Sequence, residues 1–268
     1  MNDTTFITTG DGYRLAYRLD GADDKPVLVL SNSIATTLHM WDGQIPVLTQ
    51  HFRVLRYDAR GHGNSDAPAG AYSMDRLGSD VIELLDALGV ERAHFLGLSL
   101  GGLVGQWLGI HAPDRIDQLI LSNTSAHLGP VSEFDARIAA LQTSPDMEAV
   151  AEAFLANWFP ATMLEAKHPD IEPFREMLLS TAPQGLAGSY AAVRDNDMRR
   201  TIALINRPTL VIAGRDDTVT LASHGEYIAS TVPGARLVTL PAVHLPNVEH
   251  PDVYARTVLD FLLEGDAA

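Results

Sequence analysis

Gly97-Leu98-Ser99-Leu100-Gly101-Gly102 is the segment of this chain best suited to covalent chemistry. It follows an apolar run, Ala93–Leu98, that reads as a strand, and it leads into Gly102–His111, which reads as a helix. A serine on so tight a strand-to-helix turn needs glycines two positions before and after. They let the backbone bend and keep the hydroxyl exposed. The turn also sets Ser99 at a helix N-terminus, where free N–H groups and the helix dipole favour a developing anion.

Serine is a weak nucleophile at neutral pH and needs a base beside it. Of the ten histidines, His244 stands out by position. It follows the predicted strand Arg236–Leu240 after a short loop and precedes the last predicted helix. Loops at the C-terminal ends of strands are where an α/β sheet displays reactive groups. The rival, His250, stands directly before Pro251 and reads as a helix start. The imidazole in turn needs a group that fixes its tautomer and stabilises its positive form. Val211-Ile212-Ala213-Gly214-Arg215-Asp216-Asp217 is a strand running into an acidic turn. Either aspartate could serve, and Asp217 is preferred. Attack on a carbonyl also needs two N–H donors for its oxygen. One expected donor is the backbone N–H of Leu100. The other is that of Ile34, in the loop Ser31-Asn32-Ser33-Ile34-Ala35 after the apolar run Val27–Leu30.

These residues lie far apart in the chain, so a larger frame must bring them together. Thr4–Thr8 and Tyr13–Leu19 read as strands joined by the turn Gly10-Asp11-Gly12. Val27–Leu30 is a short continuous apolar run, as expected of a strand buried on both faces, and Arg53–Tyr57 is a similar short strand. Ile116–Ser122 and Thr209–Ala213 are two more strands. Met74 to Leu88 carries helical spacing, with Gly89 where a C-cap glycine belongs. Alternating strands and helices predict an α/β fold, a mostly parallel sheet with helices on both faces. From about Ser125 to Asp195 the pattern is helical only. Residues 1–124 and 196–268 are therefore expected to form the core and 125–195 an inserted helical cap.

Composition narrows the function. The 268 residues are 46% hydrophobic and 20% charged, as in an ordinary globular protein. A formal charge of −15 argues against nucleic acid and anionic lipid as partners. There is no cysteine, which excludes thiol nucleophiles, disulfides and cysteine-based metal sites. No apolar stretch approaches the ~20 residues that span a bilayer. The N-terminus lacks a signal-peptide pattern, so a cytoplasmic protein without metal or organic cofactor is expected. Oligomeric state is not readable.

With these pieces assembled, the chain resembles the α/β-hydrolase family over nearly its whole length. The matching segments are Leu28-Val29-Leu30 with Trp41, Asp58-x-Arg60-Gly61-His62-Gly63-x-Ser65, Gly97-x-Ser99-x-Gly101-Gly102, Gly214-x-x-Asp217, and His244 with Glu249-His250-Pro251. The resemblance implies an α/β-hydrolase fold and a Ser99, Asp217, His244 triad. Most members carry His-Gly in the first loop, where this chain has Asn32-Ser33. In that feature it is similar to the 3-oxoadipate enol-lactonases. Arg137-Ile138, Asn157-Trp158-Phe159, Ser180 to Gly185 and Ala191 to Asp195 are similar to the same group.

That similarity implies hydrolysis of 3-oxoadipate enol-lactone in bacterial breakdown of protocatechuate and catechol. It also implies a small anionic lactone as substrate, with Ser33, Arg137 and Trp158 in the substrate site. A carboxylate calls for a cation, ideally the bidentate guanidinium. Arg137 is favoured among Arg137, Arg175, Arg194, Arg199 and Arg200. The competing readings are a carboxylesterase, a carbon–carbon bond hydrolase or a cofactor-free haloperoxidase on the same scaffold, and a non-catalytic ligand receptor.

Overall fold

Runs that are apolar at every position become strands covered on both faces. The structure, a computed structural model, describes residues 4–265. In it β3 (Val27–Ser31), β5 (Ala93–Leu98), β6 (Ile116–Ser122) and β7 (Thr209–Gly214) are buried at nearly every residue. They join β1 (Thr5–Thr8), β2 (Arg14–Asp20), β4 (Arg53–Tyr57) and β8 (Arg236–Leu240). The eight strands form one sheet in the order β1-β2-β4-β3-β5-β6-β7-β8. β1 pairs antiparallel with β2, and β2 with β4; every other pairing is parallel. The exposed and half-buried residues of β1 and β2 mark the sheet's antiparallel edge.

Helices connect and flank the strands. After β3 come α1 (Ile45–Leu48) and, beyond β4, α2 (Met74–Ala87). Ser73 caps α2 by accepting from the Arg76 N–H. Gly89 follows at φ 67°, a left-handed conformation suited to glycine at a helix end. α3 (Leu100–His111) starts directly after Ser99 and packs on β5, β6 and β3. Its start two residues ahead of the expected Gly102 puts Leu100 inside the first turn.

Between β6 and β7 the chain forms α4 (Val131–Thr143), α5 (Met147–Trp158), α6 (Ala161–Glu165), α7 (Glu172–Ser180) and α8 (Pro183–Asp195), with no strand. Its two ends meet: His127 bridges antiparallel to Asp197, and Met198 N–H donates to the Ala126 carbonyl at 2.9 Å. α8 also touches the loop after β4. Gly61 and Gly185 approach so closely that a Cβ on Gly61 would lie 2.7 Å from the Gly185 Cα. Beyond β7 follow α9 (Ala222–Thr231), α10 (Pro246–Glu249) and α11 (Pro251–Gly265). Among the described residues no helix is long and apolar enough to cross a membrane.

Candidate active site

Ser99 ends β5 and begins α3 at φ 57°, ψ −111°, a strained conformation for a residue with a side chain. The neighbouring backbone holds it there. Ser99 N–H donates to the Ser122 carbonyl at 3.0 Å, and its own carbonyl accepts from Thr124 Oγ1 at 2.8 Å. The flanking glycines are needed for space. A Cβ on Gly97 would collide with the Gly101 carbonyl oxygen, and one on Gly101 with the Ser31 carbonyl oxygen. The turn therefore packs backbone against backbone, and the hydroxyl is left facing a cavity.

That cavity measures about 620 Å³. Ser99, Leu100, Ile34 and His244 lie on its wall, together with Thr218, Val219 and Thr220 from the loop after β7. His244 is 1% exposed, and its Nδ1 lies 2.8 Å from Asp217 Oδ2. Burial works to raise the Asp217 pKa. The His244 positive form and its hydrogen bond, with Asn123 and the Thr220 N–H, outweigh burial and hold the carboxyl at about 2. An ionised carboxylate only accepts, so in the neutral imidazole Nδ1 carries the proton and Nε2 the lone pair. Among the described residues Ser99 Oγ has no hydrogen-bond partner; it and His244 share the cavity wall. Such contacts often tighten only when substrate is bound.

Asp217 is the aspartate that meets His244. Asp216 is exposed and pairs with Arg215 at 3.2 Å. His250 lies away from the cavity, its Nε2 2.9 Å from the Pro241 carbonyl.

Three residues hold this pair, of which Asn123 and Thr220 were not singled out from the sequence. Asn123, at the end of β6 with φ 43°, donates from Nδ2 to Asp217 Oδ2 and to the Val243 carbonyl, both at 3.0 Å. Thr220 donates from Oγ1 to Asp217 Oδ2 at 2.8 Å and from its N–H to Oδ1 at 3.0 Å. Glu249 accepts the Val243 N–H at 2.8 Å from behind the histidine loop. The only local signal for Asn123 was its type, because asparagine tolerates the left-handed region at a strand end.

The loop after β3 presents Ile34. Asn32 pins it: Nδ2 donates to the Tyr57 carbonyl at 2.8 Å, and Oδ1 accepts from Trp41 Nε1 at 2.9 Å. The Asn32 carbonyl also accepts Gly101 N–H at 3.0 Å, tying this loop to the Ser99 turn. Among the described residues neither the Ile34 nor the Leu100 N–H has a protein acceptor. Two unpaired donors thus belong to residues of the same cavity wall as Ser99.

Ser33, expected in the substrate site, is 2% exposed, and its Oγ is buried without a partner. It is not part of the cavity wall. The loop turns its backbone to Met40, whose sulfur accepts the Ser33 N–H, and so carries the side chain into the interior. Trp158 lies on the wall, 1% exposed and packed on Phe154 with ring centroids 4.9 Å apart. Arg137 also lies on the wall, its guanidinium 5.6 Å from the Phe134 ring centre and 5.8 Å from that of Tyr190. Arg175, Arg194 and Arg199 are engaged elsewhere, by Glu152, by Asp135 with Asp195, and by Asp197. Arg200 does not line the cavity.

Comparisons with known proteins agree with this architecture. Residues 26–251 match the alpha/beta hydrolase fold family. A 3-oxoadipate enol-lactonase 2 of Acinetobacter baylyi is 37% identical over 93% of both chains. A protein of Pseudomonas savastanoi pv. phaseolicola that carries the name carbamate hydrolase RutD is 33% identical, over 89% of this chain and 94% of its own. Among solved structures, a hydrolase from Pseudomonas aeruginosa PA01 superposes with a TM-score of 0.96 at 64% identity, covering 97% of this chain and 98% of that one. The enol-lactonase from Burkholderia xenovorans LB400 superposes with a TM-score of 0.94 at 39% identity, covering 97% and 100%. The chain belongs to the α/β-hydrolase family.

Proposed function

We propose that this protein is a serine hydrolase that opens 3-oxoadipate enol-lactone to 3-oxoadipate in bacterial catabolism of aromatic compounds. The observation that carries the chemistry is His244, paired in the interior with Asp217, on the same cavity wall as Ser99 on its strained turn. The choice of substrate rests on the similarity to enol-lactonases and on Arg137 at the cavity wall.

Ser99 Oγ attacks the lactone carbonyl while His244 Nε2 takes its proton. The carbonyl oxygen becomes an oxyanion between the Ile34 and Leu100 N–H groups. Collapse breaks the ring C–O bond. The departing enolate takes the proton from His244 and relaxes to the ketone, leaving an acyl group on Ser99. Water then gives a proton to His244 and attacks the acyl carbon. Collapse returns that proton to Ser99 and frees the second carboxylate. Arg137 pairs with the carboxylate that the lactone already carries. The helices between β6 and β7 serve as the cap that closes the site from water.

A second reading, hydrolysis of other esters or of carbamates by the same residues, draws on the relative named as a carbamate hydrolase. Spectrophotometric turnover of the enol-lactone against p-nitrophenyl acetate decides between them. A strong preference for the lactone is expected, and a preference for the acetate would remove it as the substrate. Ser99→Ala should lower turnover of the lactone by at least about a thousandfold. Near-normal turnover in that variant, or no labelling of the wild type by a fluorophosphonate, would end the serine mechanism.

A further inference from the structure

The loop after β3 holds a second strained residue. Ala35 sits at φ 59°, buried, directly after Ile34. A residue with a side chain stays in the left-handed region only where its surroundings dictate it. The helical turn Leu38–Trp41 supplies such surroundings. Met40, on that turn, is buried, and its sulfur accepts the Ser33 N–H at 3.2 Å. Thr36 Oγ1 donates to the Ser33 carbonyl at 2.7 Å and stands 3.1 Å from the same sulfur. The sulfur thus grips the residue before Ile34 and, through Thr36, the residue after Ala35. A thioether is a weak acceptor, but it serves a buried backbone N–H that is costly to leave unpaired.

The backbone of Met40 faces the other half of the site. Its carbonyl accepts from Asn247 Nδ2 at 3.0 Å, across 207 positions of chain. Asn247 is buried and lies in α10, three residues after His244. Gln44, also buried, fastens the contact: its Nε2 donates to the Asn247 carbonyl at 2.6 Å. Met40, Gln44 and Asn247 do not line the cavity. Their contacts join the two loops that bear Ile34 and His244.

We propose that Met40 is a positioning residue for the hydrolysis. Its sulfur fixes the loop that presents the Ile34 N–H, and its carbonyl fixes α10, so the oxyanion donor and His244 keep one spacing around Ser99. This rests on the serine mechanism with Ile34 as an oxyanion donor, and it holds whichever ester or lactone is the substrate.

Two substitutions at one position test it. Met40→Leu keeps the apolar bulk and removes the acceptor. Met40→Gln keeps the unbranched length and offers a carbonyl oxygen in place of the sulfur. Both are assayed on the enol-lactone and on p-nitrophenyl acetate. Rates are counted per site titrated by a fluorophosphonate, so that misfolded chains drop out. Removing an oxyanion donor outright costs about a hundred- to a thousandfold in kcat, so Met40→Leu, which only displaces one, should cost about tenfold on both substrates with KM little changed. Trifluoroacetone, whose adduct with Ser99 carries the same oxyanion, should bind more weakly by the same factor. Met40→Gln should recover most of both losses, whereas a purely packing role would favour leucine. Asn247→Ala should also lower kcat, and should add little to Met40→Leu, because the two contacts act in series. Unchanged kcat and trifluoroacetone binding in Met40→Leu would overturn the proposal. A glutamine variant no better than leucine, or fully additive losses in the double variant, would overturn it as well. A wild type that hydrolyses neither substrate and takes no fluorophosphonate would instead remove the serine mechanism beneath it.

Discussion

At the scale of single residues, the site depends on groups that never touch substrate. Asn123 joins three strand ends: it directly follows β6, holds the carboxylate that follows β7, and holds the carbonyl beside His244 after β8. Removing its amide frees Asp217 and His244 to move relative to Ser99. Misplacement of about an ångström costs on the order of a hundredfold. Asn123→Ala is expected to lower kcat ten- to a hundredfold by that reasoning, with little change in KM. Steady-state kinetics read the split, and a KM effect alone would assign Asn123 to binding instead. Gly97 shows the opposite kind of dependence, on empty space. A methyl group there meets the Gly101 carbonyl, a backbone atom that cannot swing away. Gly97→Ala should cost about 3 kcal/mol or more in urea unfolding, and an unchanged midpoint would show that the turn can yield.

At the scale of elements, the loop between β4 and α2 carries a pH dependence of its own. His62 is 2% exposed, with Nδ1 3.1 Å from the Arg60 carbonyl and Nε2 buried without a partner. Burial lowers its pKa to about 4, against the opposing pull of the Arg60 and Ala59 carbonyls. The folded protein thus holds His62 neutral where the unfolded chain would protonate it. Above about pH 6.5 both states are neutral and the residue adds no pH dependence. As pH falls from there toward 4, the unfolded state gains a proton that the folded state refuses, and stability declines by up to about 3 kcal/mol. Unfolding free energies at pH 7 and pH 4.5 should differ less in His62→Asn than in the wild type. Equal differences in the two proteins would place the acid sensitivity elsewhere. Because Gly61 rests on Gly185 of α8, softening this loop also loosens the seat of the helical insertion.

At the scale of the whole molecule, electrostatics set a problem that one side chain must solve. The chain carries a formal charge of −15, and the anionic lactone proposed as substrate would approach against that field. Arg137 is the guanidinium on the cavity wall, and its long contact with Glu133 leaves it available. A hydrogen bond to a charged partner contributes about 1.5–3 kcal/mol. Arg137→Ala should therefore raise KM for the anionic lactone roughly ten- to a hundredfold, and by more than it changes KM for a neutral ester. Equal effects on both substrates would show that the arginine shapes the cavity without pairing with a carboxylate.

What the sequence determined by itself was local. Apolar runs, glycines and prolines placed β4, β5, β6 and β8 at their observed limits and α2 to within a residue, because burial period and turn chemistry act over a few positions. The Ser99 turn was legible in part for the same reason: Gly97 answers a clash with Gly101 within five residues of chain, whereas Gly101 makes room for the distant Ser31 carbonyl. What only the tertiary structure decided was which distant groups meet. Asp217 rather than Asp216 reaches His244, Arg137 rather than Arg175 or Arg194 reaches the cavity, Ser33 turns inward, and Asn123 ties the ends of β6, β7 and β8 together. Each of those outcomes depends on strand order and on how the helices after β6 dock. Such separations are fixed by packing across the whole sheet, and no local pattern encodes them.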